Sequence, residues 1–207
     1  VLAWNKAFEK AGLINAVEVQ VQPDDADWDA GDIRYNVLRW TSSPDPWFGG
    51  LGPRFTNPRT GQILGADIML EYVWFTNRVK YEKLYDTFDK QGELPNSGFC
   101  RAGESIQQGN LFGSVVLGGD VGEFSELEQH RLIYEGLVDL VLHEVGHTLG
   151  LSHNFFATQM HSLNNIHDRH ITEPVGLYSS VMDYTSANIG PDPNHHGQYY
   201  STVPGPY

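Results

Sequence analysis

The sequence has little cysteine, few basic residues and no long apolar run. Cys100 is its single cysteine, so no internal disulfide can form and the redox compartment stays open. Lysine and arginine number 13 against 26 acidic residues, which excludes a nucleic-acid partner because phosphate binding needs an excess of basic residues. No run of about 18 apolar residues occurs, so no membrane span is expected.

The rest of the composition is that of a folded, loop-rich protein. Apolar residues make up 40% of the chain and charged residues 19%. The length suits a single domain over residues 1–207. The chain starts at Val1 without a signal peptide and ends in turn-forming residues, so we expect a processed form or a fragment of a longer polypeptide.

The first part of the chain predicts one helix followed by two strands. Apolar residues recur at helical spacing over Leu2–Ala11, and Gly12 is placed to end that helix. Valines alternate with polar residues over Val17–Val21, which predicts a strand with one buried face. Ile33–Trp40 is predicted as a second strand.

The middle of the chain is predicted to alternate between loops, strands and a polar helix. Prolines and glycines mark Ser42–Pro58 as loop, whereas the β-branched and aromatic residues of Ile63–Phe75 predict a long strand. Asn77–Lys90 is predicted as a polar helix. The irregular stretch Gln91–Asn110 then leads to a short predicted strand over Leu111–Leu117.

A long buried helix is predicted next. Ser125 and Glu128 form a capping-box pattern, which begins a helix that runs to about Thr148. Apolar residues lie nearly all around this helix, as is typical of a buried one. Its main apolar face consists of Tyr134, Leu137, Val138, Val141 and Val145. The order of the predicted elements, with strands first and a buried helix later, indicates the α+β class.

The end of this helix carries two histidines and a glutamate in the pattern His-Glu-x-x-His. His143 and His147 are four residues apart, about 400° of helix rotation, so both imidazoles can reach one metal ion. Glu144 points about 100° away and can face a water on the metal without binding the metal. The alternative is a buried helix whose histidines occur there by chance. It is disfavoured because a buried histidine pair without a metal loses its hydration and gains no interaction in return.

His153 is the candidate third ligand. In a continued helix it would lie about 9 Å beyond His147, too far for the same ion. Gly150 tolerates the left-handed conformation that ends helices, so the chain can turn back between them. Three imidazoles leave an open coordination position, the catalytic arrangement of zinc. Zinc lowers the pKa of bound water to about 7, and Glu144 can serve as the general base.

The run His143–His153, which reads HEVGHTLGLSH, resembles the metzincin clan of zinc peptidases, with Ser179–Tyr184 as the clan's methionine turn. The resemblance implies that Met182 forms a hydrophobic base beneath the metal, with ordinary core packing as the alternative. It also implies that Tyr184 contacts the zinc or stabilises the tetrahedral intermediate through its phenol. A tyrosine that only packs under the site is the alternative.

Weaker similarity extends over most of the chain. The segments that look like large bacterial zinc-dependent metalloproteases, the met-zincin group, are Arg34–Trp40, Asn57–Leu64, His153–Phe155, Gly197–Tyr200 and Gly205–Tyr207. This resemblance implies a secreted or periplasmic protein. It also implies a further helix after the last of these segments, so we expect the C-terminal lobe to be truncated.

The clan's fold implies a twisted mixed β-sheet with two long helices in an upper lobe, residues 1–150. A small irregular lower lobe would cover residues 151–207, with zinc in the cleft between the lobes. The substrate would bind as an extended peptide along an edge strand of the sheet. Ala66–Leu70 is the candidate for that edge, and Gly113–Leu117 is the competing one.

Other residues suited to metals have weaker cases. Cys100 can act as a latency ligand on the zinc, although an inert, partly buried thiol is favoured. Five further histidines are expected to be solvent-facing loop residues, with a second metal site as the alternative: His161, His167, His170, His195 and His196. Five aspartates are expected to form a solvated acidic turn, with calcium binding as the alternative: Asp24, Asp25, Asp27, Asp29 and Asp32. Their spacing does not follow the EF-hand loop.

The sequence therefore predicts a zinc-dependent endopeptidase that acts on proteins or peptides as a monomeric catalytic domain. Its predicted ligands are His143, His147 and His153, with Glu144 as the base. One alternative is a catalytically weak zinc-binding domain for protein interaction, against which the intact Glu144 argues. The other is an amidase on cell-wall peptides, which would use the same chemistry and differ only in its substrate.

Overall fold

The computed structural model describes residues 1–44, 48–72, 100–117, 126–192 and 197–206. Three features predicted from sequence lie outside these residues: the helix Asn77–Lys90, Ser125 of the capping box, and the pair His195-His196. No helix in the described part of the chain is long and apolar enough to cross a membrane.

The chain opens with a short helix that a tryptophan anchors to the centre of the molecule. A 3-10 turn over Leu2–Trp4 leads into helix α1, Asn5–Lys10, and Gly12 follows with a φ of +86°. The predicted helix and its stop are therefore confirmed. Trp4 is buried, and its indole N–H donates to the backbone oxygen of Leu142 at 3.2 Å. This bond ties the N-terminus to the long central helix.

The strand predicted over Val17–Val21 is wrong. The Asn5 side chain satisfies both backbone groups of Val17: its amide donates to the carbonyl at 2.8 Å, and its oxygen accepts from the N–H at 2.9 Å. Val19 and Val21 are exposed and lie outside every strand that the structure describes. Alternation alone suggested a strand, but local side-chain bonding took the place of a partner strand.

In the described part of the chain, three strands pair with one central strand. β1 is Val37–Thr41, β2 is Gly50–Leu51, β3 is Arg54–Thr56 and β4 is Ile63–Glu71. β1 pairs with β4 in parallel, whereas β2 and β3 pair with β4 in antiparallel fashion. The predicted mixed sheet is present, with β1 starting later and β4 ending earlier than predicted. β2 and β3 lie in a predicted loop, because strands this short leave no periodic pattern.

Both segments predicted as the substrate-binding edge are wrong. Ala66–Leu70 lies in β4, which has neighbours on both sides and is a central strand. Gly113–Leu117 is helical. Among the described strands, the outer positions belong to β1 on one side of β4 and to β2 and β3 on the other. A central strand has no unpaired backbone groups to offer a peptide.

Helix α2 covers Ala102–Leu117, so the end of Gln91–Asn110, predicted as irregular, is helical. The segment Leu111–Leu117, predicted as a strand, is the second half of this helix. Its two valines and its glycine have low helix propensity, which led to the wrong prediction. The glycines of α2 serve close packing instead. A Cβ at Gly109 would collide with the hydroxyl of Tyr200, and one at Gly113 would crowd a leucine of the next helix. Tertiary packing therefore outweighs local propensity here.

Helix α3, Glu126–Thr148, runs through the centre of the molecule, as predicted. Its deepest residues differ from the predicted apolar face: Tyr134 is 64% exposed, whereas Glu135 and Asp139 are buried. Asp139 accepts a hydrogen bond from the hydroxyl of Tyr178, and Glu135 accepts from two backbone N–H groups of the C-terminal segment. Hydropathy alone gave no reason to bury these carboxyl groups.

Beyond α3 the chain forms short elements, as its loss of periodicity predicted. A 3-10 turn covers Ala157–Gln159, and helix α4 covers Arg169–Val175. Tyr199 and Tyr200 are fully buried in the same core as α3. Helices with a mixed sheet fit the predicted α+β, metzincin-like fold, while the single domain over residues 1–207 and its division into two lobes stay predictions.

Candidate metal centre

Three histidine side chains converge at the end of α3. Nε2 of His147 lies 3.1 Å from Nε2 of His143 and 3.0 Å from Nε2 of His153. Nitrogens bound to one tetrahedral zinc at about 2.0–2.1 Å lie about 3.3 Å from one another. The structure therefore brings together the three nitrogens that the sequence predicts as ligands, at a spacing that fits zinc.

Gly150 lets the chain turn back so that His153 meets the two helix histidines. Helix α3 ends at Thr148, and Gly150 has a φ of +97°. The N–H of Leu151 donates to the carbonyl of Gly146 at 3.0 Å, which closes the helix end. The reversal predicted from the glycine is present in the structure.

Backbone carbonyls determine which nitrogen of each helix histidine faces the cluster. Nδ1 of His143 lies 2.6 Å from the oxygen of Val181, and Nδ1 of His147 lies 3.0 Å from that of Leu151. A carbonyl only accepts, so Nδ1 carries the proton and Nε2 keeps its lone pair. An imidazole held through its other nitrogen is oriented to bind a metal.

Burial keeps the three imidazoles neutral. It lowers the pKa of His143 to about 3, and the neighbouring His147 acts in the same direction. Burial is also the main cause that lowers the pKa of His147 and of His153. A metal binds the neutral form of imidazole. The donor set is therefore in the protonation state that zinc requires.

Glu144 lies beside the cluster with both carboxylate oxygens unpaired. The residue is fully buried, and neither oxygen has a hydrogen-bond partner of good geometry among the described residues. Burial raises the pKa of Glu144 to about 7, while the thiol of Cys100 and the N–H of Gly52 act in the opposite direction. Leaving a buried acceptor unpaired costs about 1–3 kcal/mol, and a carboxyl group kept in this state is typical of a functional site.

A glycine-rich strand packs directly on Glu144. A Cβ at Gly50 would lie 3.0 Å from Oε1 of Glu144, and one at Gly52 would lie 2.5 Å from its backbone oxygen. Arg54 in β3 adds a hydrogen bond from its guanidinium to the carbonyl of His147 at 2.9 Å. The sequence predicts only a loop here. Three glycines in four residues are the signal that could have indicated this close approach of two backbones.

The turn over residues 179–184 packs against the end of α3. Met182 is buried, and a Cβ at Gly146 would collide with its sulfur. The carbonyl of Met182 accepts from the N–H of Asn154 at 2.9 Å. The Asp183 carboxylate accepts from two backbone N–H groups. The turn is thus fixed both to the helix and to the segment after the third histidine.

Tyr184 places its hydroxyl at the edge of the histidine cluster. The oxygen lies 2.9 Å from Nε2 of His153 and accepts from the N–H of Arg101 at 3.0 Å. Burial raises the pKa of Tyr184, so the phenol keeps its proton. With Arg101 occupying the acceptor side, this proton is directed toward the donor atoms of the cluster.

Cys100 completes a group of four donor atoms. Its Sγ lies 3.2 Å from Nε2 of His143, and the ligand atoms of Cys100 and the three histidines all lie within 4.8 Å of one another. The prediction of an inert thiol left Cys100 outside the site. A lone cysteine 43 residues before the first histidine carries no sequence signal that joins it to the motif.

The other residues considered for metals do not gather. In the described parts of the chain, the group around Cys100 is the only close set of three or more such ligands. His161 bonds to the carbonyl of Gly176 at 2.8 Å, and Asp32 pairs with Arg34. A second metal site and a calcium site therefore gain no support from the described residues.

Comparison with protein families finds a match over part of the chain. The family model described as Met-zincin matches residues 125–207, a segment that contains α3, the three histidines, Glu144 and the turn over residues 179–184. The predicted resemblance is confirmed over this segment, which supports a metzincin-type zinc metallopeptidase domain. No curated protein and no solved structure matches the chain.

Proposed function

We propose that this chain is a zinc-dependent endopeptidase. The observation that carries the proposal is the convergence of the Nε2 atoms of His143, His147 and His153 beside the unpaired carboxylate of Glu144. Three nitrogen donors are a set that catalytic zinc uses. The Met-zincin match over residues 125–207 supports the broader statement that the chain is a zinc peptidase.

Glu144 is the proposed proton carrier. When bound, zinc would supply Lewis-acid activation of the attacking water and of the scissile carbonyl. The Glu144 carboxylate takes a proton from the water and later gives it to the leaving amine nitrogen. The peptide bond then breaks without a covalent enzyme intermediate.

Tyr184 is proposed to stabilise the oxyanion that forms on the scissile carbonyl. Its proton is directed at the cluster because the N–H of Arg101 occupies the acceptor side of its hydroxyl. A fixed neutral phenol is an effective donor to such an oxyanion. Gly150 and Met182 have positioning roles in this proposal. Gly150 brings His153 to the cluster, and Met182 supports the end of α3.

The substrate is proposed to bind as an extended peptide along β2 and β3. Among the described strands, these two lie on the outer side of β4, and Gly50 and Gly52 pack on Glu144. A peptide that adds to this edge would pass directly by the proposed base. This location replaces the two edges predicted from sequence. Secretion and a monomeric state remain predictions from the resemblance.

The proposal is tested with zinc-loaded protein on casein and on a library of quenched fluorescent peptides, with metal content measured in parallel. We expect cleavage at internal peptide bonds, loss of activity with 1,10-phenanthroline, and recovery with added zinc. Glu144→Gln should keep the zinc and lose about 10²–10⁴-fold in kcat. Glu126→Gln, an exposed position in the first turn of the same helix, is the matched control.

The two alternatives give different results in the same assay. Zinc binding without cleavage, in the wild type and in Cys100→Ala alike, would contradict the proposal and favour a domain for protein interaction. Cell-wall peptides are added to the same substrate panel, and cleavage confined to them would instead favour the amidase. The Cys100 variant is included because its sulfur lies among the histidine nitrogens.

A further inference from the structure

The sulfur of Cys100 lies where a fourth ligand of the histidine cluster would lie. Sγ is 3.2 Å from Nε2 of His143 and shares one small group of donor atoms with His147 and His153. A thiolate at about 2.3 Å and an imidazole at about 2.0–2.1 Å on one tetrahedral zinc lie about 3.6 Å apart. The sulfur is therefore close to a coordinating position without any change in the backbone.

The fold holds this sulfur in place. Cys100 lies two residues before α2 begins, and the N–H of Ala102, the first residue of α2, donates to Sγ at 3.5 Å. The start of α2 is packed tightly on the sheet, because a Cβ at Gly103 would lie 2.6 Å from Cα of Gly49. The hydroxyl of Tyr184 contributes a further contact to Sγ at 3.6 Å. The cysteine thus belongs to a packed element of the catalytic domain.

The neighbouring carboxylate provides a second, independent indication. Glu144 is fully buried, both of its oxygens lack a partner among the described residues, and it interacts electrostatically with the thiol of Cys100. The sulfur therefore lies next to both the proposed base and the histidine nitrogens. An attacking water would need the same space in order to give its proton to Glu144.

We propose that Cys100 is a fourth metal ligand that closes the centre and keeps the peptidase latent. The inference rests on the proposed function, since it concerns the same metal. On coordination the thiol releases its proton to solvent, and the sulfur takes the place that the attacking water needs. Four protein ligands form the closed arrangement of zinc and three form the open one, so displacement of Cys100 converts the first into the second.

X-ray absorption at the zinc edge tests the ligand directly. The wild type should show one sulfur at about 2.3 Å and three nitrogens at about 2.0–2.1 Å, and Cys100→Ala should show nitrogen and oxygen only. The cobalt-substituted wild type should show a thiolate-to-metal charge-transfer band that Cys100→Ala lacks. Because Cys100 is the chain's single cysteine, the band has one source. Met182→Leu, which removes the methionine sulfur packed on Gly146 of α3, should keep both signals.

Two further measurements test whether the sulfur is coordinated and whether it keeps the enzyme latent. Zinc should slow alkylation of Cys100 in the wild type by at least about 10-fold, because a coordinated sulfur is shielded from reagents. Cys100→Ala should cleave peptides at least about 10-fold faster than the wild type, because its centre is always open.

The outcomes separate this inference from the proposed function. Zinc held by nitrogen and oxygen alone in the wild type, with alkylation unaffected by the metal, would overturn the role of Cys100 and leave the histidine centre standing. A protein that binds no zinc in any variant would overturn both proposals. Equal peptidase rates in the wild type and Cys100→Ala, with a sulfur signal present, would show that the ligand does not keep the enzyme latent and would overturn the regulatory part.

Discussion

The sulfur of Met182 lies so close to Gly146 that any Cβ at this position of α3 would overlap it. Gly146 lies between His143 and His147, so the contact joins the helix that carries two proposed ligands to the turn over residues 179–184. Met182 is 2% exposed and cannot swing into solvent to make room. The separation of the helix and the turn therefore depends on the absence of a side chain at residue 146.

Gly146→Ala should lower the free energy of unfolding by about 1–3 kcal/mol, the usual effect of an extra methyl group in a packed core. Urea unfolding at fixed free zinc measures the change. Met182→Ala removes the overlapping sulfur, so the double variant should lose less than the sum of the single losses. Strictly additive losses would show that the two residues do not interact.

Gly150→Ala should weaken both folding and zinc binding. A φ of +97° is unfavourable for any residue with a Cβ, by about 1–2 kcal/mol, and relief of the strain would move His153. We expect the zinc dissociation constant to rise about 10–100-fold, as when the supports of a metal ligand are removed. Gly12→Ala is the matched control, since Gly12 follows a helix with a φ of +86°. It should lose similar stability and keep its zinc affinity; equal zinc affinity in the two variants would refute the role of Gly150.

Asp139→Asn should change how stability depends on pH. Burial raises the pKa of Asp139 to about 8, whereas an unfolded aspartate titrates near 3.9, so the folded state holds the extra proton between these values. Stability from this group is therefore complete at low pH and falls as pH rises toward 8. Asparagine still accepts from the hydroxyl of Tyr178 but does not titrate.

The measurement is urea unfolding of wild type and Asp139→Asn between pH 5 and pH 8, within the window set by the raised pKa. The stability of the variant relative to the wild type should increase by up to about 1.4 kcal/mol per pH unit. Taking the difference cancels the titration of groups common to both proteins. Curves that stay parallel over this range would mean that Asp139 is ionised in the folded protein.

Tyr184→Phe should lower kcat by about 10–1000-fold with little change in KM, because the lost donor acts on charge that develops during the reaction. Zinc content should be retained, since the three imidazoles are unchanged. Tyr134→Phe is the control, because Tyr134 lies on α3 and is 64% exposed. If Tyr184→Phe loses zinc together with activity, the hydroxyl supports the metal centre and its assignment to the oxyanion is wrong.

Local sequence was sufficient for the geometry of the histidine motif. His143 and His147 share one face of α3 because helix rotation fixes residues four apart, whatever surrounds them. Gly150 has the positive φ expected of a helix-ending glycine, so the position of His153 also followed from nearby residues. Helices α1 and α3 were predicted correctly because their apolar residues recur at helical spacing and their stops are local.

Features that depend on partners distant in the chain were not predictable. Val17–Val21 has the alternation of a strand but no strand partner among the described residues. Leu111–Leu117 has weak helix propensity yet lies in α2, whose glycines pack closely on neighbouring residues. The central position of β4 depends on pairing with β1, β2 and β3 together. Pairing and close packing of this kind are set by contacts that a local pattern does not contain.

Three histidines with a glutamate beside them follow from local sequence, because a helix and its glycine stop place those residues by local geometry. The contact of Cys100 with the histidines, and the close packing of Gly50 and Gly52 on Glu144, depend on tertiary packing. Both relationships arise where α2 and the sheet pack on α3, and packing between segments so far apart in the chain leaves no periodic trace in either one.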